Sequence, residues 1–167
     1  MAKKVRPVPK GYQTVTTSLT VQDADGFIKF CKKAFGATEL LRMKGPGGSI
    51  MHAEIQIGDA RVMVGDEMPG MGKKSAKSLG GSPLTLFMYV PDCDAVAAKA
   101  LKAGAVTRMP LSDMFWGDRY GTLEDPFGNI WGIGTHIEDV DPKEMKKRSD
   151  KLTKDMAKAA TAAVAAS

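Results

Sequence analysis

The pentapeptide Val21–Asp25 (VQDAD) returns 69 residues later as Val90–Asp94 (VPDCD). Further along each copy, Gly36-Ala37 matches Gly104-Ala105. The offset there is 68, so the second copy is one residue shorter between the pentapeptide and the Gly-Ala pair. A repeat of this period means that one structural unit occurs twice in the chain. The sequence therefore predicts two halves built to one plan.

Each copy has the pattern of a strand, a helix and three further strands. Runs rich in Val, Thr, Leu and aromatic residues over 12–21 and 82–90 predict the opening strands. Asp23 and Asp92 follow them and supply side-chain oxygens for the first turn of a helix, which a glycine then ends. The three later strands are predicted over 38–43, 49–57 and 60–64 in the first copy, and over 106–109, 120–124 and 130–136 in the second.

These units divide the chain and indicate an α+β fold. With 167 residues, of which 43% are hydrophobic, the chain can bury the core of one domain or of two closely packed halves. The predicted segments are a basic N-terminal arm (1–10), a first βαβββ module (11–66), a flexible linker (67–81), a second βαβββ module (82–140) and a Lys-rich helical tail (141–167).

The net charge of +5 belongs to the two ends of the chain. Residues 1–10, which include Lys3 and Lys4, carry four basic side chains and no acidic one. Residues 141–167 carry seven basic and four acidic side chains, so the body has a charge of −2. We therefore predict no nucleic-acid partner.

Other bulk features predict a cytoplasmic protein with no membrane partner. No stretch approaches the roughly 20 apolar residues of a membrane span, and no apolar segment follows the basic start as in a signal peptide. Cys31 and Cys93 lack the CxxC spacing of a zinc site and do not suggest a disulfide framework.

An ordered set of motifs resembles the vicinal oxygen chelate superfamily, which includes glyoxalase I, extradiol dioxygenases, fosfomycin-modifying enzymes and bleomycin-binding proteins. The resemblance is strongest to its PhnB-like branch. It implies that the two modules form a curled mixed sheet around a cavity, and that the protein is a homodimer; it does not fix a reaction. The matching stretches are 11–16, 34–37, 52–55, 114–121 and 125–129.

The same resemblance indicates which positions would hold the ligands of a metal site. Metal-using members place His or Glu at one position on each of four cavity-facing strands. Carried over by motif, these positions fall on Thr16, Glu54, Thr85 and Gly132. Only Glu54 could bind a metal as the family does, so we predict no cofactor and no metal site. The alternative is a divalent metal at Glu54 in a non-standard ligand set.

Two groups of side chains could carry function without a metal. Trp116, Arg119 and Tyr120 could stack on a planar ligand and pair with its anionic group; alternatively, Asp118 and Arg119 form an internal ion pair and Trp116 plugs the end of the barrel. On the strand over 49–57, two side chains could act as an acid–base pair if the cavity raises the pKa of the carboxyl. These candidate catalytic residues are Glu54 and His52; the alternative is a polar strand face satisfied by water or neighbouring hydroxyls.

Three functions follow from these observations. The leading hypothesis is a protein without the superfamily metal site that binds a small organic molecule in the cavity. The second is a metal-assisted lyase, isomerase or dioxygenase with a non-standard ligand set around Glu54. The third is a non-catalytic structural or regulatory subunit, so enzymatic activity is left open. The predicted ligand-binding residues of the first hypothesis are Thr16, Thr85, Trp116, Arg119 and Tyr120.

Overall fold

The computed structural model describes residues 5–68 and 70–165. Lys3 and Lys4 of the predicted basic arm, and the last two residues of the tail, lie outside the described residues. In chain order the elements are β1 (Thr17–Val21), α1 (Ala24–Phe35), β2 (Thr38–Lys44), β3 (Ile50–Ile57), β4 (Ala60–Asp66), α2 (Ala76–Leu79), β5 (Thr85–Tyr89), α3 (Cys93–Lys102), β6 (Val106–Asp113), β7 (Asp118–Glu124), β8 (Ile130–His136) and α4 (Pro142–Ala165).

The two repeated aspartates begin the two central helices, as predicted. The Asp23 carboxylate accepts a hydrogen bond from the Gly26 N–H at 2.8 Å, and the Asp92 carboxylate accepts one from the Ala95 N–H at 2.9 Å. Gly36 ends α1 in the left-handed conformation, with φ 66°. The shared motif therefore fixes where α1 and α3 start.

Each module forms one four-stranded mixed sheet. The strand order is β1-β4-β3-β2 in the first and β5-β8-β7-β6 in the second, so the two sheets repeat one topology. In both, the opening strand lies parallel to the last strand of its module, and the remaining pairs are antiparallel. The predicted pair of βαβββ modules is confirmed.

One apolar core joins the modules. α1 packs against α3, and Phe27 and Ile28 of α1 share a buried cluster with Trp131 and Ile133 of β8. Burying side chains of this size contributes roughly 1.5–3 kcal/mol each. Since side chains alternate along a strand, those that do not point into this core lie on the opposite face of each sheet.

Part of the connection between the modules has defined contacts. Glu67, just after β4, accepts hydrogen bonds from the Ser75 N–H and, at 2.9 Å, from the Ser78 hydroxyl. Gln22 also donates to the Ser78 hydroxyl at 3.0 Å. These bonds fix α2 against the end of the first module; the mobility of the rest of the segment stays a prediction.

The predicted helical tail forms α4. Its start is capped by Asp141, which accepts hydrogen bonds from the N–H groups of Lys143 and Glu144. Arg148 connects α4 to the body, because its guanidinium pairs with Glu138 at 2.7 Å. Among the described residues, no helix combines the length and apolar character needed to cross a membrane.

Candidate functional site

A cluster of polar side chains surrounds Glu54 on β3. Glu54 lies on the sheet face away from the core, yet only 7% of it is exposed. The Tyr12 hydroxyl donates a hydrogen bond to its Oε1 at 2.6 Å, and His52 Nε2 lies 3.3 Å from the same oxygen. Arg61 Nη1 donates to Oε2 at 3.2 Å and stacks its guanidinium over the Tyr12 ring. Two donors and one imidazole nitrogen therefore surround one carboxylate.

These donors decide the protonation of Glu54. The hydrogen bond from Tyr12 lowers the pKa of Glu54, and His52 and Arg61 add to this against the opposing effect of burial. The carboxylate is therefore ionised at neutral pH. General acid–base catalysis by Glu54 required a raised pKa, so this condition of the hypothesis is not met.

The second sheet carries a cluster of aromatic rings on its face away from the core. Phe87 of β5 stacks on Tyr120 of β7, with ring centroids 5.2 Å apart and planes 14° apart. Tyr89 lies 4.9 Å from Phe87, and Trp116 lies 6.0 Å from Tyr120. Phe87 is 48% and Tyr89 64% exposed. We call these four residues the aromatic face; its open rings suit contact with a flat apolar molecule.

Two glycines of β8 make room for the aromatic face. A Cβ at Gly132 would lie 2.9 Å from Cδ2 of Phe87 and 3.0 Å from the Tyr120 hydroxyl oxygen. A Cβ at Gly134 would lie 3.3 Å from Cζ of Phe87. Side chains at Gly132 would displace the rings, so the position that the resemblance assigned to a metal ligand is filled by aromatic atoms.

Asp118 lies beside the aromatic face and is 3% exposed. Its Oδ2 accepts hydrogen bonds from the Tyr89 hydroxyl at 2.8 Å and from Trp116 Nε1 at 2.9 Å. Its Oδ1 lies 2.7 Å from His136 Nδ1, and the other ring nitrogen of His136 lies 3.0 Å from Asp139 Oδ1. Burial opposes the ionisation of Asp118, but the hydrogen bonds from His136, Tyr89 and Trp116 outweigh it and lower its pKa.

Arg119 has no place on the aromatic face. Because it alternates with Asp118 and Tyr120 along β7, its side chain points to the other face of the sheet. There its guanidinium binds both oxygens of Asp94, at 2.6 and 2.8 Å, and one oxygen of Asp113 at 3.0 Å. The hypothesis of an Asp118–Arg119 ion pair is therefore wrong, and the predicted ligand contact of Arg119 is not supported by its position.

A groove of about 900 Å³ lies where the two modules meet. Arg61, which binds Glu54, borders it from the first module, and Thr85, Phe87 and Tyr89 border it from the second. Trp131 lines it as well, against the ring of the neighbouring Phe35. We call this the junction groove; it is bordered by Arg61 of the polar cluster and by Phe87 and Tyr89 of the aromatic face.

The residues at the four family metal positions do not fit a metal. Gly132 offers no ligand and is covered by rings. The Thr16 hydroxyl donates to the Gln13 carbonyl at 3.1 Å, and the Glu54 carboxylate is engaged by the donors described above. Within residues 5–68 and 70–165, no three His, Cys, Asp or Glu side chains are arranged to hold a metal ion.

The structure pairs some of the predicted site residues but does not gather them in one site: Thr85 borders the junction groove, and Thr16, His52, Glu54, Trp116, Arg119 and Tyr120 do not. His52 contacts Glu54, Trp116 contacts Tyr120, and Thr85 borders the junction groove. Sequence reasoning missed the residues that complete these groups. Phe87 and Tyr89 alternate with Leu86 and Met88, and this alternation could have indicated that the two rings share one face of the strand. The other missed residues give no local signal in the sequence. The missed residues are Tyr12, Arg61, Phe87, Tyr89 and the accepting role of Asp118.

The fold and the site define an α+β protein of two duplicated βαβββ modules with a groove of small-molecule size at their junction. The family model for the Glyoxalase/Bleomycin resistance protein/Dioxygenase superfamily matches residues 13–133. The chain belongs to this superfamily.

Individual proteins resemble this chain in sequence or in fold. An uncharacterized Mycobacterium tuberculosis protein, Rv0887c, is 44% identical over 131 residues, which cover 77% of each chain. TioX from Micromonospora sp. ML1 is 26% identical, with a TM-score of 0.61 over 75% of this chain and 99% of that one. A Bacillus cereus PhnB protein shares the fold at 18% identity, with a TM-score of 0.58 over 74% of this chain and 99% of the other.

Proposed function

We propose that this protein binds a small organic molecule with a flat apolar part in the junction groove, in the manner of a bleomycin-resistance-type binding protein, without a metal. The observation that carries the proposal is that one module lines the groove with aromatic rings and the other lines it with a cation. Phe87 and Tyr89 present open rings to it from one module, while Arg61 reaches it from the polar cluster of the other.

The chemistry of the groove favours a ligand with an anionic or hydrogen-bond-accepting group. Lys33, Lys99 and Arg61 border it, against the single carboxylate of Asp59 among its lining acids. Aromatic rings bind flat apolar groups by offset stacking, and a nearby cation selects the end that carries negative charge. The groove volume also lies within the range of pockets for small ligands, about 300–1,000 Å³.

We further propose that the protein is a cytoplasmic homodimer of the PhnB-like branch. Exposed apolar side chains occur on the open face of the first sheet, including Leu41 and Met43 of β2, and a second copy could cover them. Both cysteines, Cys31 and Cys93, are free and buried, which suits a reducing compartment.

A fluorescence titration tests the proposed site. Anilinonaphthalene sulfonate, an anion with a flat naphthalene ring whose emission rises in apolar surroundings, is the first probe, and bleomycin is added as a competitor for the same site. We expect wild-type protein to bind the dye, and Phe87→Ala to raise its Kd by about tenfold, since an aromatic contact contributes about 1–1.5 kcal/mol. Val106→Ala, an equally exposed apolar side chain outside the groove, is the matched control.

Two results would contradict the proposal. One is a wild-type protein that binds neither probe. The other is dye binding that Phe87→Ala and Val106→Ala change equally, since this would place the dye on general apolar surface.

A further inference from the structure

The hydrogen bonds of Asp118 point to a role beyond contact with a ligand. Tyr89 lies on β5, an edge strand, and 64% of it is exposed. Trp116 lies in the loop before β7. The Tyr89 hydroxyl and the Trp116 indole N–H both donate to Oδ2 of Asp118. One nearly buried carboxylate therefore holds two rings from separate parts of the module.

We propose that Asp118 is a positioning residue, which fixes the rings of Tyr89 and Trp116 in the aromatic face and makes this face sensitive to the proton on His136. The ligand part of this inference rests on the proposed function. The hydrogen-bond part does not, and it can be measured without a ligand.

Fixing the rings before binding favours affinity. An exposed side chain that is free to rotate loses rotamer freedom when a ligand orders it, and this loss weakens binding. The bonds to Asp118 order Tyr89 and Trp116 in the unbound protein. The stacked pair of Phe87 and Tyr120 lies between them, so the four rings form one preorganised surface.

His136 couples this surface to pH through its two ring nitrogens. Nδ1 faces Asp118 of β7, and Nε2 faces Asp139, just after β8. Ionised carboxylates only accept hydrogen bonds, and a neutral imidazole can donate from one nitrogen only. Both contacts are therefore complete only in the imidazolium form, and these hydrogen bonds to Asp118 and Asp139 raise the pKa of His136.

When His136 loses its proton, the positive charge beside the Asp118 carboxylate disappears. The hydrogen bonds that Asp118 accepts from Tyr89 and Trp116 then have a more negative acceptor environment. The remaining ionisable neighbour of Asp118 is Tyr89, whose own pKa is raised by the same carboxylate. Tyr89 therefore stays protonated as His136 titrates. The bond from the Trp116 indole N–H to Asp118 should respond to that titration, because both groups bind one carboxylate.

Proton–nitrogen correlation NMR of the whole protein tests the proposal. The chain has two tryptophans, so two indole cross-peaks are expected, and Trp131→Phe assigns them. Trp131 donates to Asp125 and is the internal control. We expect the Trp116 peak to shift with pH, with a midpoint above the ordinary 6.5 of histidine, while the Trp131 peak stays in place.

Variants separate positioning from general stability. Asp118→Asn should abolish the pH shift of the Trp116 peak, and Asp113→Asn, which removes the same charge from a carboxylate that binds Arg119, should keep it. Tyr89→Phe retains the ring and removes only its bond to Asp118. It should raise the Kd of anilinonaphthalene sulfonate about threefold or more without lowering the midpoint of thermal unfolding by more than a few degrees.

The outcomes distinguish the two proposals. A Trp116 peak that does not titrate, or that titrates equally in Asp118→Asn, overturns the role of Asp118. An unchanged dye Kd in Tyr89→Phe also overturns it. If Asp118→Asn does not fold, His136→Asn takes its place and must abolish the titration. If the wild type shows the titration but binds no dye, the coupling stands and the proposed ligand function fails.

Discussion

At the scale of single residues, Gly132 shows how one missing side chain shapes the site. Its backbone lies directly under Phe87 and Tyr120, and a Cβ there would come within 3.0 Å of both rings. An added methyl group at that distance fits only if a ring or the strand moves. The glycine therefore removes a potential metal ligand and, at the same time, permits the stacked pair.

Adding a methyl group at this position tests that account. We expect Gly132→Ala to destabilise the protein by about 1–3 kcal/mol through overpacking, and to weaken dye binding because the rings must move. Thermal unfolding and the fluorescence titration measure the two effects. Gly81→Ala is the control, since no atom lies within 4 Å of a Cβ at Gly81. Equal behaviour of the two variants would contradict the close contact at Gly132.

His136 gives a prediction for the pH dependence of stability. Asp118 and then Asp139 raise its pKa in the folded protein. A raised pKa stabilises the fold fully below the ordinary value of about 6.5, and this stabilisation is lost as the pH rises through the folded value. The midpoint of thermal unfolding should therefore differ more between wild type and His136→Asn at about pH 5.5 than at about pH 9. A difference that grows with pH would show that the His136 contacts do not form.

Single residues also show what the sequence could and could not predict about the site. The alternation around Glu54 predicted that it and His52 share a strand face, and they contact each other. Tyr12 reaches the same carboxylate from 42 positions away in the chain. No local pattern encodes such a contact, because it depends on the path that the residues before β1 take across the sheet.

At the scale of elements, helix starts were predicted better than strand ends. The caps at Asp23 and Asp92 are local chemistry and lie where the repeat placed them. The strand predicted over 12–21 begins only at Thr17, because the residues before it leave the sheet. The strand predicted over 106–109 continues to Asp113, since β6 is an edge strand and tolerates the irregular pairing around its internal proline.

A cluster of ion pairs connects α1 to β2. Lys29 and Arg42 lower the pKa of Asp25 to about 2, and Arg42 and Lys32 lower the pKa of Glu39 to about 2. Lowered pKa values stabilise the fold above the ordinary range of these carboxyls, near 4, and that stabilisation is lost as the pH falls towards 2. Arg42→Met should cost about 1 kcal/mol at pH 7, since the groups are partly exposed.

Denaturant unfolding as a function of pH measures this effect. The difference between wild type and Arg42→Met should shrink between about pH 4.5 and pH 2. Arg108→Met is the control, because Arg108 is more exposed and binds the single carboxylate of Glu124. If Arg42→Met costs no more than Arg108→Met at pH 7, the cluster does not secure α1 to β2.

At the scale of the whole molecule, the repeat was enough to predict the fold. Two copies of one motif at a fixed offset predicted two modules, and the two sheets have the same strand order. The junction groove was not predictable in the same way. It is bordered by both modules, and its shape depends on how α1 packs against α3.

The proposed homodimer is a property of the same scale. Size-exclusion chromatography with light scattering should give about twice the chain mass of 17.8 kDa. If the exposed apolar face of the first sheet forms the interface, Met43→Lys should shift the protein towards the monomer, because burying an unpaired charge is unfavourable. Leu152→Lys, which places the same charge on the exposed side of α4, should leave the mass unchanged. The opposite pattern would place the interface on α4.

We expect ligand binding at the junction of the modules to need aromatic rings and no metal. Isothermal titration of anilinonaphthalene sulfonate into protein treated with EDTA, and into the same protein after addition of Zn²⁺, Ni²⁺ or Mn²⁺, tests it most directly. We expect one dye per chain and the same Kd in all four samples. Loss of binding in EDTA that is restored by a metal would contradict it.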